Sequence, residues 1–361
     1  MKLFQQSENP THKTIRILHF IRFKLKKKTA YSEIIDSNSF CLHKLLLKSK
    51  QPESLYGLLK YTYNDETPEP GYYSPWDTNI GDYIQSIAAR QFLPSVDAMV
   101  DRDQLSEYGG KPINLIMNSW YLFWKKNSSI PKQINPLFVS VHIHPAGLNS
   151  EILKCLKEHE PIGCRDFCTR DLLWKNGISA YFSGCLTLTL GKTYYVPPEL
   201  RTGEIYFVDM EPILEKKENI RLKDNLFETL SQYDLNSAKH LTHSIPFKRE
   251  LSVRERFALA EELIRKYAHA RLVVTQNLHC ALPCLALHVP VIFVAQAYDS
   301  FRFSGLMELT NHMYYTKGKR IISNINLNQH GEPVNSDAFV SYSNKLSELC
   351  ETFCSKNNAA I

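Results

Sequence analysis

The stretch ARLVVTQNLHCALPCLALHVPVIFV (270–294) decides the reading of the fold. Ala270–Thr275 is apolar and largely β-branched, as a strand buried on both faces must be, and Val289–Ala295 repeats that character. Between them, Asn277–His288 has the composition and length of a helix. A strand, a crossover helix and a second strand form a parallel unit. In open parallel sheets ligands bind beyond the carboxyl ends of the strands. Asn277 and His279 stand at such an end, where the next helix opens and its free N–H groups suit an anion.

The same alternation extends in both directions. Upstream in this half lie a strand at Glu204–Asp209 (EIYFVD), a helix at Leu222–Leu235, a short strand ending at His240–His243 and an amphipathic helix at Val253–His269. In the first half, Ile113–Met117, Leu137–Ile143, Glu160–Cys164 and Ile178–Phe182 read as strands, and Asp166–Lys175 as a helix closed by Gly177. A final helix is expected near Ala338–Lys356, packing back across the junction. The pattern predicts an α/β protein of two Rossmann-like parallel-sheet domains, over 64–190 and 191–361, preceded by a helical basic extension over 1–63. At roughly 150 residues per domain, 361 residues suit this division.

Composition narrows the function classes. With 43% hydrophobic and 22% charged residues the chain is an ordinary globular one. No apolar run approaches the ~18 residues of a membrane span, and the polar start MKLFQQSENPTHK shows no signal peptide. Nine Cys without CxxC spacing suit reduced thiols in the cytosol. Seven cations lie between Lys13 and Lys28 without an acid, more than the whole chain's formal charge of +6. The remainder is thus nearly neutral, which argues against nucleic-acid binding. The large apolar residues interleaved over 13–28 suit either peripheral contact with an anionic membrane surface or an arm docked on the protein body.

Several polar residues fall at predicted ligand edges. Arg165 follows the strand ending at Cys164 and opens a helix. Asp82 sits where a loop becomes a helix, as a functional acid or simply as an N-cap. His279 reads as a catalyst or as a satisfied structural histidine. His142 and His144, two apart on a strand, would share a face; with no third ligand apparent, no metal site is expected. The i, i+4 cysteine pairs read as buried small hydrophobes. No P-loop, GxGxxG, GxSxG or HExxH motif occurs.

Seven segments, in order, resemble the polysaccharide pyruvyl transferase family. They are WDTNIGDYIQSIAARQFLP (76–94), INLIMNSWY (113–121), INPLFVSVHIH (134–144), GCRDFCTRDLLWKNGISAYFSGCLTLTL (163–190), LTHSIP (241–246), the stretch at 270–294 and AYDSFRFSGLMEL (297–309). The resemblance implies two domains facing each other as in GT-B glycosyltransferases. It further implies transfer of the enolpyruvyl unit of phosphoenolpyruvate onto two hydroxyls of a hexose or N-acetylhexosamine, in a polysaccharide or its lipid-linked precursor. The products it implies are a cyclic pyruvate ketal and phosphate. Because phosphate is itself a good leaving group, no cofactor is expected, and the thiols and basic segment suit a cytoplasmic protein that can rest on the inner face of the membrane. Carried over by residue, the catalytic pair is His279 and Arg165, Arg302, Gly81 and Asp82 bind substrate, and Gln276 and Asn277 stand in the positions of the family's Ser and Arg. Asn118, His142 and His243, read from their own places in the chain, complete the expected substrate-binding set, His243 also as a reserve acid or base. One residue departs from the family pattern: Asn277 stands where the family has Arg, so a cation expected near the donor is missing there. The other readings are a GT-B-like glycosyltransferase using a nucleotide sugar and a non-catalytic partner in polysaccharide assembly.

Overall fold

The computed structural model describes residues 6–9, 12–17, 21–26, 54–61, 77–121, 130–246, 251–296, 300–316 and 320–359. The protein is a mixed α/β chain with several parallel sheets. Residues 1–51 and 52–361 form separate compact units.

In the first unit, Gln6–Asn9, His12–Ile17 and Ile21–Lys26 form a three-stranded antiparallel sheet. This differs from the helix expected over 1–63. The reason is legible in IRFKLK, where Ile21, Phe23 and Leu25 alternate with cations at the period of 2 that strands require. The side chains of the basic segment 13–28, and with them the expected membrane contact, lie outside the described residues.

The second unit begins with another departure from a helix. Tyr56–Lys60 is a strand, and it lies inside a four-stranded parallel sheet beside Ala98–Asp101 and Ile113–Met117, with Ile134–Phe138 at the far edge. Tyr56, Leu58 and Leu59 are buried, so the segment shows no polar face and its sequence has no strand period to read. The expected strand at 137–143 is broken in two: Ile134–Phe138 joins this sheet, while His142–Ile143 pairs with Trp120–Tyr121. Ile162–Cys164 and Ala180–Phe182 form a further parallel pair.

A six-stranded sheet organises the remainder. Its order is Lys239–Leu241, Glu204–Val208, Ala270–Thr275, Val291–Ala295, Asn311–Tyr315 and Ile321–Asn324, parallel except for the last pair. The carboxyl ends of the first three strands therefore lie side by side.

Helix Ile80–Arg90 connects the two series. All eleven of its residues are buried, because one side meets the first sheet and another meets helix Val253–Ala268. Tyr83 packs edge-on to Phe257 with ring centroids 5.0 Å apart, and Arg90 pairs with the buried Glu261 at 2.9 Å. Just before this helix, Asp77–Asn79 pairs antiparallel with Ser244–Pro246. The terminal helix, Phe339–Ala359, also returns to the first sheet, where Tyr56 Oη donates to the Cys354 carbonyl at 2.9 Å. Among the described residues, no helix is long and apolar enough to cross a membrane.

Candidate active site

The turn before helix Ile80–Arg90 places the first site residues. Asn79, not Asp82, is its N-cap: Asn79 Oδ1 accepts from Gly81 N at 2.9 Å. Asp82 is thereby left in the first turn with its carboxylate 3.8 Å from His279 Nδ1 and 3.7 Å from Arg102 Nη1. Ile80 N donates to the His243 carbonyl at 2.8 Å, which brings the strand-pair segment alongside. Gly81 is tightly enclosed. A Cβ there would lie 2.8 Å from His243 Nδ1 and 3.3 Å from His279 Cβ. Glycine at this position is a condition for two histidines to meet the helix start.

His279 occupies the first turn of helix Leu278–Ala286, at the carboxyl end of strand Ala270–Thr275. Its Nε2 lies 3.3 Å from Arg165 Nη1. A guanidinium only donates, so Nε2 accepts and Nδ1 carries the proton, facing Asp82. Burial, followed by the charges of Arg165, His243 and Arg302, holds this imidazole well below its ordinary pKa. His279 is therefore neutral near pH 7.

Arg165 follows strand Ile162–Cys164 and is 3% exposed. Among the described residues its Nε has no hydrogen-bond partner and no carboxylate pairs with it. A buried cation without a counter-charge is costly, and an anionic ligand would offset that cost. Asp166, the next residue, caps helix Phe167–Lys175 through Thr169 N at 2.8 Å and takes His142 Nδ1 at 2.5 Å. Burial outweighs that carboxylate and pushes His142 down to about 4, so His142 is a neutral donor to Asp166. His144 leaves the strand and accepts from Ala146 N at 3.2 Å to cap a turn, so the two histidines do not share a strand face.

Arg302 is drawn in from the C-terminal half. The turn after helix Ser300–Phe303 supplies Ser304, whose carbonyl and hydroxyl accept from Phe167 N at 3.2 Å and Cys168 N at 3.4 Å. The Arg302 guanidinium lies over Trp120, 5.2 Å from its ring centroid, and Trp120 meets His142 edge-on at 5.3 Å. Arg165, Arg302, His142 and His279 thus form one electrostatic cluster, since both guanidiniums act on both imidazoles.

His243 is buried beside Gly81, and its Nε2 meets Tyr267 Oη at 2.7 Å. Asn118 is buried beneath the helix and donates to the Gln85 carbonyl at 2.8 Å. Gln276 and Asn277 both turn to Asp209, a residue the sequence reading passed over: Gln276 Nε2 donates to its carbonyl at 2.6 Å and Asn277 Nδ2 to its carboxylate. Trp120 was passed over likewise. A lone Asp after EIYFV looks like a turn former, and nothing local links it to residues 242 or 277.

Among the described residues no three His, Cys, Asp or Glu side chains converge as a metal site. A separate cavity of about 560 Å³ opens at the amino ends of the C-terminal strands, where Arg271 is already paired with Glu332 at 3.2 Å. It lies at the opposite strand ends from His243 and His279, and none of the candidate site residues lines it.

The polysaccharide pyruvyl transferase family model matches residues 79–298, well over half the chain. That span includes Gly81, Asp82, Arg165, His243 and His279, and stops short of Arg302. No curated protein matches. A solved structure of a functionally uncharacterized protein from Klebsiella pneumoniae subsp. pneumoniae NTUH-K2044 is similar over 76% of this chain and 92% of its own, at 12% identity and a TM-score of 0.38.

Proposed function

The chain belongs to the polysaccharide pyruvyl transferase family, and on that premise we propose that it moves the enolpyruvyl group of phosphoenolpyruvate onto two hydroxyls of a hexose or N-acetylhexosamine, releasing phosphate and leaving a cyclic pyruvate ketal. The observation that carries this reading is the buried Arg165, with an unpartnered Nε and its Nη1 on a neutral histidine. Phosphoenolpyruvate carries a phosphate and a carboxylate, and Arg165 and Arg302 supply two cations for them. The acceptor is carried by a polysaccharide or its lipid-linked precursor, and the two sheet series take the roles of facing GT-B domains.

The chemistry follows from the ligand's charge. When the donor binds, Arg165 turns to its anionic groups and releases His279 Nε2. The same negative charge offsets the guanidinium field that depresses the imidazole, so His279 becomes more basic as the donor settles. The C2=C3 electron pair takes a proton at the methylene carbon, which becomes the methyl group, as the hydroxyl oxygen bonds to C2, and His279 carries the proton from that hydroxyl to the carbon. The second hydroxyl attacks C2, the C–O bond to phosphate breaks, and the second proton leaves with phosphate. Asp82, facing Nδ1, keeps the ring in the tautomer that leaves Nε2 as the base.

The test is phosphate release from phosphoenolpyruvate with and without p-nitrophenyl hexosides as acceptors. Release that requires a hexoside supports the reading. A protein stabilised thermally by a nucleotide sugar and indifferent to phosphoenolpyruvate would replace it with glycosyl transfer.

A further inference from the structure

Asp209 sits at the carboxyl end of strand Glu204–Val208, between the ends of the strands that lead to His243 and His279. Its φ is +53°, a left-handed conformation that a residue other than glycine adopts infrequently and that often marks a functional turn. The half-buried carboxylate takes hydrogen bonds from Thr242 Oγ1, from His243 N at 3.1 Å and from Asn277 Nδ2. Among the described residues no cation pairs with it. Asp209 is thus an acid held by neutral donors at the strand ends that also lead to His243 and His279, whereas Arg165 reaches His279 from a different strand.

We propose that Asp209 and Asn277 form the subsite for the hydroxyls of the acceptor sugar, so that the site is divided by charge; the assignment rests on the pyruvyl-transfer reading. An anionic donor is attracted to the two guanidiniums and repelled by Asp209, so the donor and this carboxylate occupy opposite sides of His279. A sugar hydroxyl is the ligand that an uncompensated carboxylate suits, because it donates a hydrogen bond without bringing a counter-charge. Three donor groups share the carboxylate, and His243 N is split between Oδ1 at 3.3 Å and Oδ2 at 3.1 Å, so an arriving hydroxyl takes the position held by the long leg of that split bond. Asn277 adds an amide carbonyl and a second N–H beside it, so an adjacent hydroxyl finds both a donor and an acceptor. Charge-assisted hydroxyl–carboxylate bonds are among the stronger ones, as a selective subsite needs. Asn277 in place of the family's Arg fits this division. An arginine there would neutralise Asp209 and remove the acceptor's recognition element.

The experiment compares wild type, Asp209→Asn and Asn277→Ala in two separate bindings. One is phosphoenolpyruvate alone, by calorimetry. The other is a panel of p-nitrophenyl hexosides and N-acetylhexosaminides alone, by saturation-transfer NMR. Both variants should lose hexoside affinity by about tenfold or more, the effect of leaving a polar partner unsatisfied. Phosphoenolpyruvate affinity should stay the same or rise in Asp209→Asn. Hexoside binding that survives both substitutions, or that the wild type lacks across the panel, overturns the assignment. So does a loss confined to phosphoenolpyruvate. If Asp209→Asn does not fold, Asn277→Ala carries the same comparison. A wild type that binds hexosides but never phosphoenolpyruvate would defeat the pyruvyl-transfer reading and leave the hexose subsite standing.

Discussion

Arg165 Nη1 donates to His279 Nε2 across 3.3 Å, joining the end of a strand in the first half of the chain to the helix that opens after Ala270–Thr275. If His279 is the base and Arg165 the donor-binding cation, as proposed, donor binding must part this pair. His279→Ala should abolish transfer while phosphoenolpyruvate still binds, because the cations remain. Calorimetry beside a phosphate-release assay checks this, and wild-type turnover in the variant would remove His279 from the reaction.

Arg165→Ala should weaken phosphoenolpyruvate binding by the ~2–5 kcal/mol typical of losing one member of a buried charged pair. Arg165→Lys should restore only part, since a fork gives way to a point charge. The affected parameter should be the donor KM. A collapse of acceptor kinetics with an unchanged donor KM would contradict the assignment.

The Gly81→Ala variant tests the packing at the helix start. Its Cβ would stand 2.8 Å from His243 Nδ1 and 2.9 Å from Asn79 Oδ1. Overpacking of this kind typically costs about 1–3 kcal/mol, and here it also displaces His279. Denaturant unfolding should show that loss together with a fall in turnover. An alanine variant as active and as stable as wild type would mean that the histidines do not depend on this contact.

Acid pH should expose the buried imidazoles. The His142 and His279 pKa values lie below the unfolded value of about 6.5, His142 at about 4, both through burial first. The unfolded chain therefore binds more protons than the folded one as pH falls from about 6.5 towards 4. Stability should be complete above that window and decline through it. Activity should follow a related rule: the acid limb of kcat/KM should lie well below 6.5, and that of kcat higher, because a bound anion raises His279. A common acid limb near 6.5 for both would show that His279 is not held neutral by its neighbours.

What could be read from the sequence follows burial and locality. Strand Ala270–Thr275 was legible from its β-branched run LVVT between two helical patterns, and helix Val253–Ala268 from its period and a capping box at Ser252 and Glu255. Arg165 and His279 were legible because a polar residue at the carboxyl end of an apolar strand stands out. Strand Tyr56–Lys60 was not: a doubly buried strand has no alternation, and only SKQPES separates LYGLLK from the leucine-rich LHKLLLK, so the two read as one helical pattern. Strand Asn311–Tyr315 hid behind Asn311 and His312, which are buried but hydrogen-bonded, Asn311 to the Val334 carbonyl and His312 to that of Thr310. Asp209 and Trp120 acquire their meaning from partners 33 and 22 positions away, at Thr242 and His142. No local pattern carries such distances.

Asn277→Arg inverts the charge balance beside Asp209. The new guanidinium should pair with that carboxylate, lowering hexoside affinity about tenfold and leaving phosphoenolpyruvate affinity close to that of wild type. Donor binding tightened to a similar degree would instead place Asn277 on the donor side.

The most direct measurement is mass spectrometry of hexose and N-acetylhexosamine acceptors, free and lipid-linked, after incubation with phosphoenolpyruvate, with inorganic phosphate counted in the same samples. The account predicts that wild type adds one pyruvate ketal to an acceptor and releases one phosphate for each, and that His279→Ala does neither. No ketal and no phosphate from wild type across the whole acceptor set, although phosphoenolpyruvate is bound, would contradict it.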